Sequence, residues 1–382
     1  MIKILFLHWK LVCGGAESAL YNLVKLMDKS KFDITIFVIH DGGEWEQKFR
    51  DLGVRIINSY SNIIPSNNII KRCINHVKRN KINKIRDSGG KGLIELATND
   101  KYDIVVSYHT YVYCGEAGFP KVGKSVKFIH GNVLNNIDYQ NNIKVINDYD
   151  KKYDKIICVS NDTRDAFIDF TGINNNVITC FNPIDSEDII NKARKSVNIS
   201  NNMPYICAIG RLSSEKGFDR LIRIHKRLID NDIYHKLVIV GDGPEYEKLK
   251  HIIEETNTHK TVVLTGYQEN PYPFIKNSLF VVCSSFTEGL PVISMEALCL
   301  GIPVVSSYPS VGELFGDKQC GIITKNDDNS LYNGMYTMLT DNEFYKKTKD
   351  SAELRSEYFS GSRMVKKIEN VFYNLVKEGE VK

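Results

Sequence analysis

Several features that would narrow the function of this chain are missing from it. Its nine cysteines (Cys13, Cys73, Cys114, Cys158, Cys180, Cys207, Cys283, Cys299 and Cys320) are odd in number, widely spaced and never form a Cys-x-x-Cys pair. That argues against a disulfide framework or a zinc site and fits a reducing cytosol. No stretch approaches the ~20 apolar residues that cross a bilayer, and Met1–Leu7 is a short strand-like run rather than a signal peptide, so any membrane contact is expected to be peripheral. The net charge of +4 lacks the basic bias of a duplex-binding protein, and no nucleic-acid partner is expected. The loop near the N-terminus does not match G-x-G-x-x-G, which leaves a nicotinamide site unsupported. There is no internal repeat.

What the chain does have is length and rhythm. At 382 residues it exceeds the size at which one core keeps growing, so two domains are expected. Short apolar runs alternate with amphipathic segments. In the first half the strand candidates are Ile2–Leu7, Asp33–Ile39, Val54–Ile57, Asp103–Ser107, Val126–His130 and Lys155–Val159. In the second they are Tyr205–Ile209, Lys236–Val240, Val262–Leu264, Leu279–Cys283, Pro303–Val305 and Gly321–Ile323. Near-continuous apolar strands alternating with helices predict parallel sheets covered on both faces, an α/β protein. Asn182-Pro183-Ile184-Asp185 and the polar Ser196–Pro204 punctuate the midpoint. Met364–Val376 sets Met364, Ile368, Val371, Phe372 and Leu375 on one helix face that needs a surface to cover.

Three segments carry candidate chemistry. Cys13-Gly14-Gly15-Ala16-Glu17 opens the first helix after the first strand, where glycine allows close backbone approach and free N–H groups favour an anion; a plain tight turn is the alternative. In Ile209-Gly210-Arg211-Leu212-Ser213-Ser214-Glu215-Lys216-Gly217-Phe218, a strand end is followed by two cations and a helix start. Two such cations at the carboxyl edge of a parallel sheet suit a diphosphate, against the alternative of a solvated surface pair. The third is Cys283–Ser306. It places Glu288 in a loop after a strand and Glu296 among apolar residues of a helix over Pro291–Leu300. A carboxylate in such company, if buried, needs a partner, and two vicinal hydroxyls would serve; a helix-capping Glu288 and a solvent-facing Glu296 are the alternative.

Taken together, the Arg211/Lys216 loop, the Gly241-Asp242-Gly243-Pro244 turn and the Glu288…Glu296 pair resemble glycosyltransferase family 4 in kind and order. Gly14-Gly15-Ala16-Glu17, Ser160-Asn161-Asp162-Thr163 and Asn182-Pro183-Ile184-Asp185 resemble its first-half landmarks, so the likeness covers nearly the whole chain. The resemblance implies a GT-B fold: two Rossmann-like domains with parallel sheets facing a central cleft, residues 1–183 on the acceptor side and 184–360 on the nucleotide-sugar side, with a C-terminal helix over 361–378 returning to the first domain. It implies a retaining hexosyltransferase in which Arg211 and Lys216 hold the donor diphosphate and Glu296 takes the ribose hydroxyls. Glu288 would contact the transferred sugar, with the backbone of Gly289, Leu290 and Pro291 beside it. Gly14, Gly15 and Gly243 would complete the donor site, and His130 would contact the sugar, with His109 as its competitor. The donor would be a nucleoside-diphosphate sugar, a UDP-sugar being favoured, with no cofactor and no metal required. After Glu288 the chain reads Gly289-Leu290-Pro291-Val292, where many members have a second glycine and an aromatic. Some bacterial surface-polysaccharide members share this form, which leaves the sugar open.

Lys71–Lys91 sets Lys71, Arg72, Lys78, Arg79, Lys81, Lys84, Arg86 and Lys91 against Asp87 alone, interleaved with Ile70, Cys73, Ile74, Val77, Ile82 and Ile85. A basic amphipathic helix of this kind suits an anionic membrane surface, against the alternative of a solvated charged face, and Lys121, Lys124 and Lys127 add to the first-half charge. The family resemblance implies that the acceptor is a glycan, lipid-linked on a polyprenyl diphosphate, for O-antigen or capsule. The expected location is the cytoplasm, peripherally on the inner face of the cell membrane. Rival readings are a transferase with a soluble acceptor, a catalytically silent nucleotide-sugar binder, and a GT-B-type epimerase.

Overall fold

The computed structural model describes residues 1–12, 14–63, 66, 68–88, 90–108, 123–135, 137–141, 148–197, 199 and 203–380. The chain divides into two compact units: Met1–Pro183 with Met364–Lys382, and Ile184–Arg363. The division falls inside the Asn182–Asp185 segment, whereas Ser196–Pro204 lies within the second unit.

Seven parallel strands make the sheet of the first unit: β1 (Ile2–His8), β2 (Phe32–Val38), β3 (Arg55–Asn58), β4 (Ile104–Ser107), β5 (Lys124–Ile129), β6 (Lys155–Cys158) and β7 (Val177–Thr179). Their order is β3-β2-β1-β4-β5-β6-β7, so the winding reverses between β1 and β4. The apolar runs produce this directly, since Ile4, Leu5 and Phe6 of β1 have no exposure on either face. On one face the helix Gly15–Leu26 packs Leu20, Leu23 and Val24 against Ile4 and Phe6. The C-terminal helix Gly361–Glu380 adds Val365, Ile368, Phe372 and Leu375 to the same cluster, with Phe372 edge-on to Phe6 at 6.3 Å. The apolar stripe at its end therefore finds its cover in the first sheet.

Two departures from the sequence expectation stand out. Strand β7 was not anticipated: it has three half-exposed residues after Asn174-Asn175-Asn176 and, among the described residues, pairs only with β6. Edge position and brevity remove the apolar signal. Lys124 and Lys127 are not free positive charge either. Lys124 pairs with Asp154 at 3.0 Å. Lys127 is buried against Asp150 at 2.5 Å, with the Tyr139 hydroxyl at 2.8 Å. Lys121 lies outside the described residues.

The second unit repeats the winding with six strands: β8 (Tyr205–Ile209), β9 (Lys236–Val240), β10 (Val262–Leu264), β11 (Val281–Cys283), β12 (Val304–Ser306) and β13 (Gly321–Ile323). The order is β10-β9-β8-β11-β12-β13. Its reversal lies between β8 and β11, paired through Cys207 and Val281. Residues 74 positions apart in sequence thereby become neighbours.

Under this sheet a polar chain runs through the core. His225 Nδ1 lies 3.0 Å from His235 Nε2, His225 Nε2 lies 2.9 Å from Thr261 Oγ1, and His235 Nδ1 lies 2.8 Å from the Ile233 carbonyl. A carbonyl only accepts, so His235 Nδ1 carries its proton. His225 then donates to His235 Nε2 and accepts the single Thr261 hydroxyl proton, which is nearer at 2.9 Å than the Thr258 carbonyl is at 3.2 Å, so both rings are satisfied while neutral. Burial holds His225 down to about 3, and burial also lowers His235. Both folded values lie below the ordinary value near 6.5, so beneath that pH the unfolded chain takes up protons that the folded core refuses. Stability is expected to fall as pH drops from about 7.5 to 5, by on the order of 1 kcal/mol per pH unit. Urea unfolding across that range measures it, and His225→Gln should flatten the dependence.

Candidate active site

Strand order explains why the site forms. Arg211 and Lys216 follow β8, Glu288 follows β11, and these adjacent strands flank the point where winding reverses, at the carboxyl edge where open α/β sheets bind ligands. After β8 the chain makes a single 3-10 turn, Ser214–Lys216, and enters the helix Phe218–Asp230 through Gly217. Gly217 has φ +63, and a Cβ there would lie 2.5 Å from the Ser284 carbonyl. Only glycine combines that left-handed backbone with so close an approach. The two loops are stapled together above it: Ser284 Oγ donates to the Lys216 carbonyl at 2.8 Å, and Phe286 N–H donates to the Glu215 carbonyl at 2.8 Å.

The side chains converge on top of this staple. Lys216 Nζ donates to Glu288 Oε1 at 2.6 Å, and the Ser285 hydroxyl donates to the same oxygen at 2.6 Å. Burial alone would lower the Lys216 ammonium, but the charge and hydrogen bond of Glu288 outweigh it and the net shift is upward. Lys216 therefore stays charged. Arg211 is different. Its side chain is 69% exposed, and among the described residues it pairs with Glu215 at 3.6 Å. It stands in solvent, on the same loop as Lys216.

Gly243 has an internal explanation. Leu212 N–H donates to the Asp242 carbonyl and Glu245 N–H to the Leu212 carbonyl, both at 2.9 Å, and a Cβ on Gly243 would lie 2.6 Å from Leu212 O. The turn after β9 is packed onto the Arg211 loop, and its glycine is required for that. Beyond Glu288, Gly289 and Leu290 are buried, and Pro291 is the N-cap of the helix Val292–Cys299, which no side chain caps. Glu296 lies mid-helix, where it accepts from the Tyr272 hydroxyl at 3.3 Å. Burial pushes its carboxyl up to about 7, the tyrosine only partly opposing this.

In the first unit Gly14 caps the helix Gly15–Leu26, and its Cβ position lies 2.4 Å from Glu17 Oε2. A Cβ on Gly15 would meet nothing within 4 Å, so the fold leaves open space there rather than forcing a glycine. His130 follows β5, stacked on Phe128 at 5.7 Å and against Tyr108 at 4.4 Å. His109 lies outside the described residues. Ser285, Glu215, Tyr272 and Arg220 were not singled out in the sequence. Of these only Arg220 carries a local signal, a charge one helical turn from Ile224 on a buried stripe.

Among the described residues no cluster of His, Cys, Asp or Glu could hold a metal ion. The chain has two Asp-x-Asp triplets, Asp148-Tyr149-Asp150 and Asp230-Asn231-Asp232. Asp150 is taken by Lys127, Asp230 by Lys226, and Asp232 by the Tyr234 hydroxyl.

Two doubly wound parallel sheets, one with Lys216 paired to Glu288 at its switch point, define a GT-B-type fold. The family comparison is specific. A model described as Glycosyltransferase Family 4 matches residues 13–188, and one described as Glycosyl transferases group 1 matches residues 189–355. The chain belongs to glycosyltransferase family 4.

It is 34% identical over 182 residues to an N-acetylgalactosamine-N,N'-diacetylbacillosaminyl-diphospho-undecaprenol 4-alpha-N-acetylgalactosaminyltransferase of Campylobacter jejuni, covering 47% of this chain and 48% of that protein. With an O-antigen biosynthesis glycosyltransferase of Escherichia coli, WclY, it shares 27% identity over 231 residues, 59% of this chain and 63% of the relative. The chain thus spans about half the length of the first relative and under two thirds of the second. In fold it resembles Anabaena Alr3699/HepE, solved with UDP and glucose (TM-score 0.76, 18% identity, 98% of this chain and 100% of that one). It also resembles the pneumococcal O-GlcNAc transferase GtfA, solved with UDP and GlcNAc (TM-score 0.71, 12% identity, 98% and 99%).

Proposed function

We propose that the chain is a retaining glycosyltransferase. It moves a hexosyl unit from a nucleoside-diphosphate sugar, in preference a UDP-sugar, to a glycan carried on a polyprenyl diphosphate, in assembly of a surface polysaccharide. The observation that carries the reading is the meeting of Lys216 and Glu288 at the switch point, with Arg211 exposed beside them. A diphosphate entering there gains two cations, while Glu288, held by Ser285, offers a carboxylate oxygen to sugar hydroxyls. Glu296 takes the ribose hydroxyls. Gly14, Gly15 and His130 keep the phosphate- and sugar-contacting roles that the family resemblance gives them. The C. jejuni and E. coli relatives, by their names, act on an undecaprenol-diphosphate-linked sugar and in O-antigen synthesis. They support the acceptor class.

Retention follows from attack on the face the leaving group vacates. The acceptor oxygen bonds to the anomeric carbon as the bond to the diphosphate oxygen breaks, and that oxygen takes the acceptor's hydroxyl proton. The protein positions the partners and stabilises the charge growing on the diphosphate through Lys216 and Arg211. The scheme needs no metal and no cofactor. A thermal-shift screen over UDP-, GDP- and ADP-sugars finds the donor. With that donor, Lys216→Ala should lower turnover by about 10²-fold. Near-wild-type rates would remove the reading.

Glu296 supplies a pH test. Hydroxyls that donate to it favour the ionised form, so binding expels its proton wherever the free carboxyl is protonated. Affinity for the UDP-sugar, whose diphosphate does not titrate in this range, should rise with pH below about 7, where the free Glu296 carboxyl is protonated, and flatten by about pH 8. Glu296→Gln should abolish the rise, as read by calorimetry.

The membrane reading rests on the helix Ile69–Asp87. Ile69, Ile70, Ile74 and Val77 are exposed beside Lys71, Arg72, Lys78, Arg79, Lys81, Lys84 and Arg86, while Ile82 is buried; Lys91 lies past the helix end. Among the described residues no helix is long and apolar enough to cross a membrane. The helix would lie on the inner face of the cell membrane, its isoleucines among lipid tails and its cations on anionic headgroups. Vesicle flotation should recover the protein with anionic but not neutral lipid, and equal recovery would count against it.

A further inference from the structure

Arg220 lies in the first turn of the helix Phe218–Asp230, and its side chain is 6% exposed. It faces backbone and polar side chains rather than a close carboxylate. Nε donates to the Ser284 carbonyl at 3.0 Å. Nη2 lies 2.5 Å from the same oxygen, 3.3 Å from the Ser285 carbonyl, 2.8 Å from Ser307 Oγ and 2.7 Å from Asn326 Oδ1. The nearest acid, Asp328, is 3.9 Å from Nη1 and mostly in solvent. The guanidinium carbon sits 4.0 Å from the centre of the Phe286 ring. Asn326 closes the circuit by donating through Nδ2 to the Phe286 carbonyl at 3.0 Å.

One planar cation thus grips the Ser284–Phe286 segment from below, through two of its three carbonyls directly and the third by way of Asn326. That segment runs straight into Glu288, and it is the one stapled to the carbonyls of Glu215 and Lys216. We propose that Arg220 is a positioning residue that sets the spacing of Lys216 and Glu288, and so the fit of the donor's diphosphate and sugar, without touching either. The inference rests on the donor site proposed above. Lysine cannot substitute: a single ammonium has no fixed fork to reach Ser284 O, Ser307 and Asn326 together, nor a plane to stack under Phe286. Glu296, on a separate helix packed by its own neighbours, does not depend on this clamp, so the ribose grip should survive its loss.

That asymmetry gives the test. Binding of UDP, GDP and ADP to the wild-type chain is measured by calorimetry, and the tightest is compared with its own monophosphate in Arg220→Lys and Asn326→Ala. Asn326 is exposed, so its variant is expected to fold even if the arginine change does not. The diphosphate Kd should rise about 10-fold in Arg220→Lys and about 3-fold in Asn326→Ala, with the monophosphate Kd changed less than about 2-fold in both. Transfer activity should fall with the diphosphate affinity while acceptor KM holds. Unchanged diphosphate binding in both variants overturns the inference, as does a parallel loss of both nucleotides, the mark of a merely structural role. If the wild-type chain binds none of the three diphosphates, the donor site itself falls, and the inference with it.

Discussion

The arrangement depends on one hydrogen-bonded ion pair, Lys216 to Glu288, spanning two loops that only strand order brings together. Both groups are partly withdrawn from water, which costs several kcal/mol per ion unless partners replace the lost solvation. The structure supplies them. Ser285 donates to the carboxylate oxygen that the ammonium uses, and the loops beneath are tied by the Ser284 side chain to the Lys216 carbonyl and by the Phe286 N–H to the Glu215 carbonyl. Removing either charge would leave the other buried and uncompensated, so the pair constrains its surroundings beyond its own net energy.

The cations of this site are already matched by acids, Lys216 by Glu288 and Arg211 by Glu215. An anionic ligand therefore meets a balanced site rather than a bare positive hole. The balance is uneven. Lys216 is fixed at 2.6 Å, whereas Arg211 is exposed and its partner is at 3.6 Å, so the arginine reorganises at small cost and the lysine hardly at all. Glu215 is itself held, with Ser213 donating to it at 2.5 Å and drawing its carboxyl below the usual range against the effect of burial. Within the proposed function, this divides labour between a preset lysine and a mobile arginine.

Much of this was legible in residues. The strands of both sheets follow apolar runs to within a residue or two, because a parallel strand buried on both faces has no polar side to hide its signal. The two cations, the two glutamates and the C-terminal apolar stripe were readable for similar reasons, each set against local punctuation or a helical period. Charge was less readable. Lys127 looked like surface charge by composition and is a buried partner of Asp150, 23 residues on, a pairing that leaves no periodic mark. Strand β7 escaped because an edge strand of three residues carries too few side chains for a pattern.

By itself, then, the sequence determined the alternation of strand and helix, the doubled α/β plan, and the residue types available at strand ends, since these follow from local propensity and burial period. Tertiary structure alone decided which strand ends became neighbours. It placed Lys216 on Glu288 rather than in solvent, gave Glu296 a tyrosine, and set Arg220 against the carbonyls of Ser284 and Ser285 and the side chain of Asn326. These are consequences of sheet order and of contacts between residues 24 to 106 positions apart. No local pattern encodes such contacts, because their energy exists only once the intervening chain is folded.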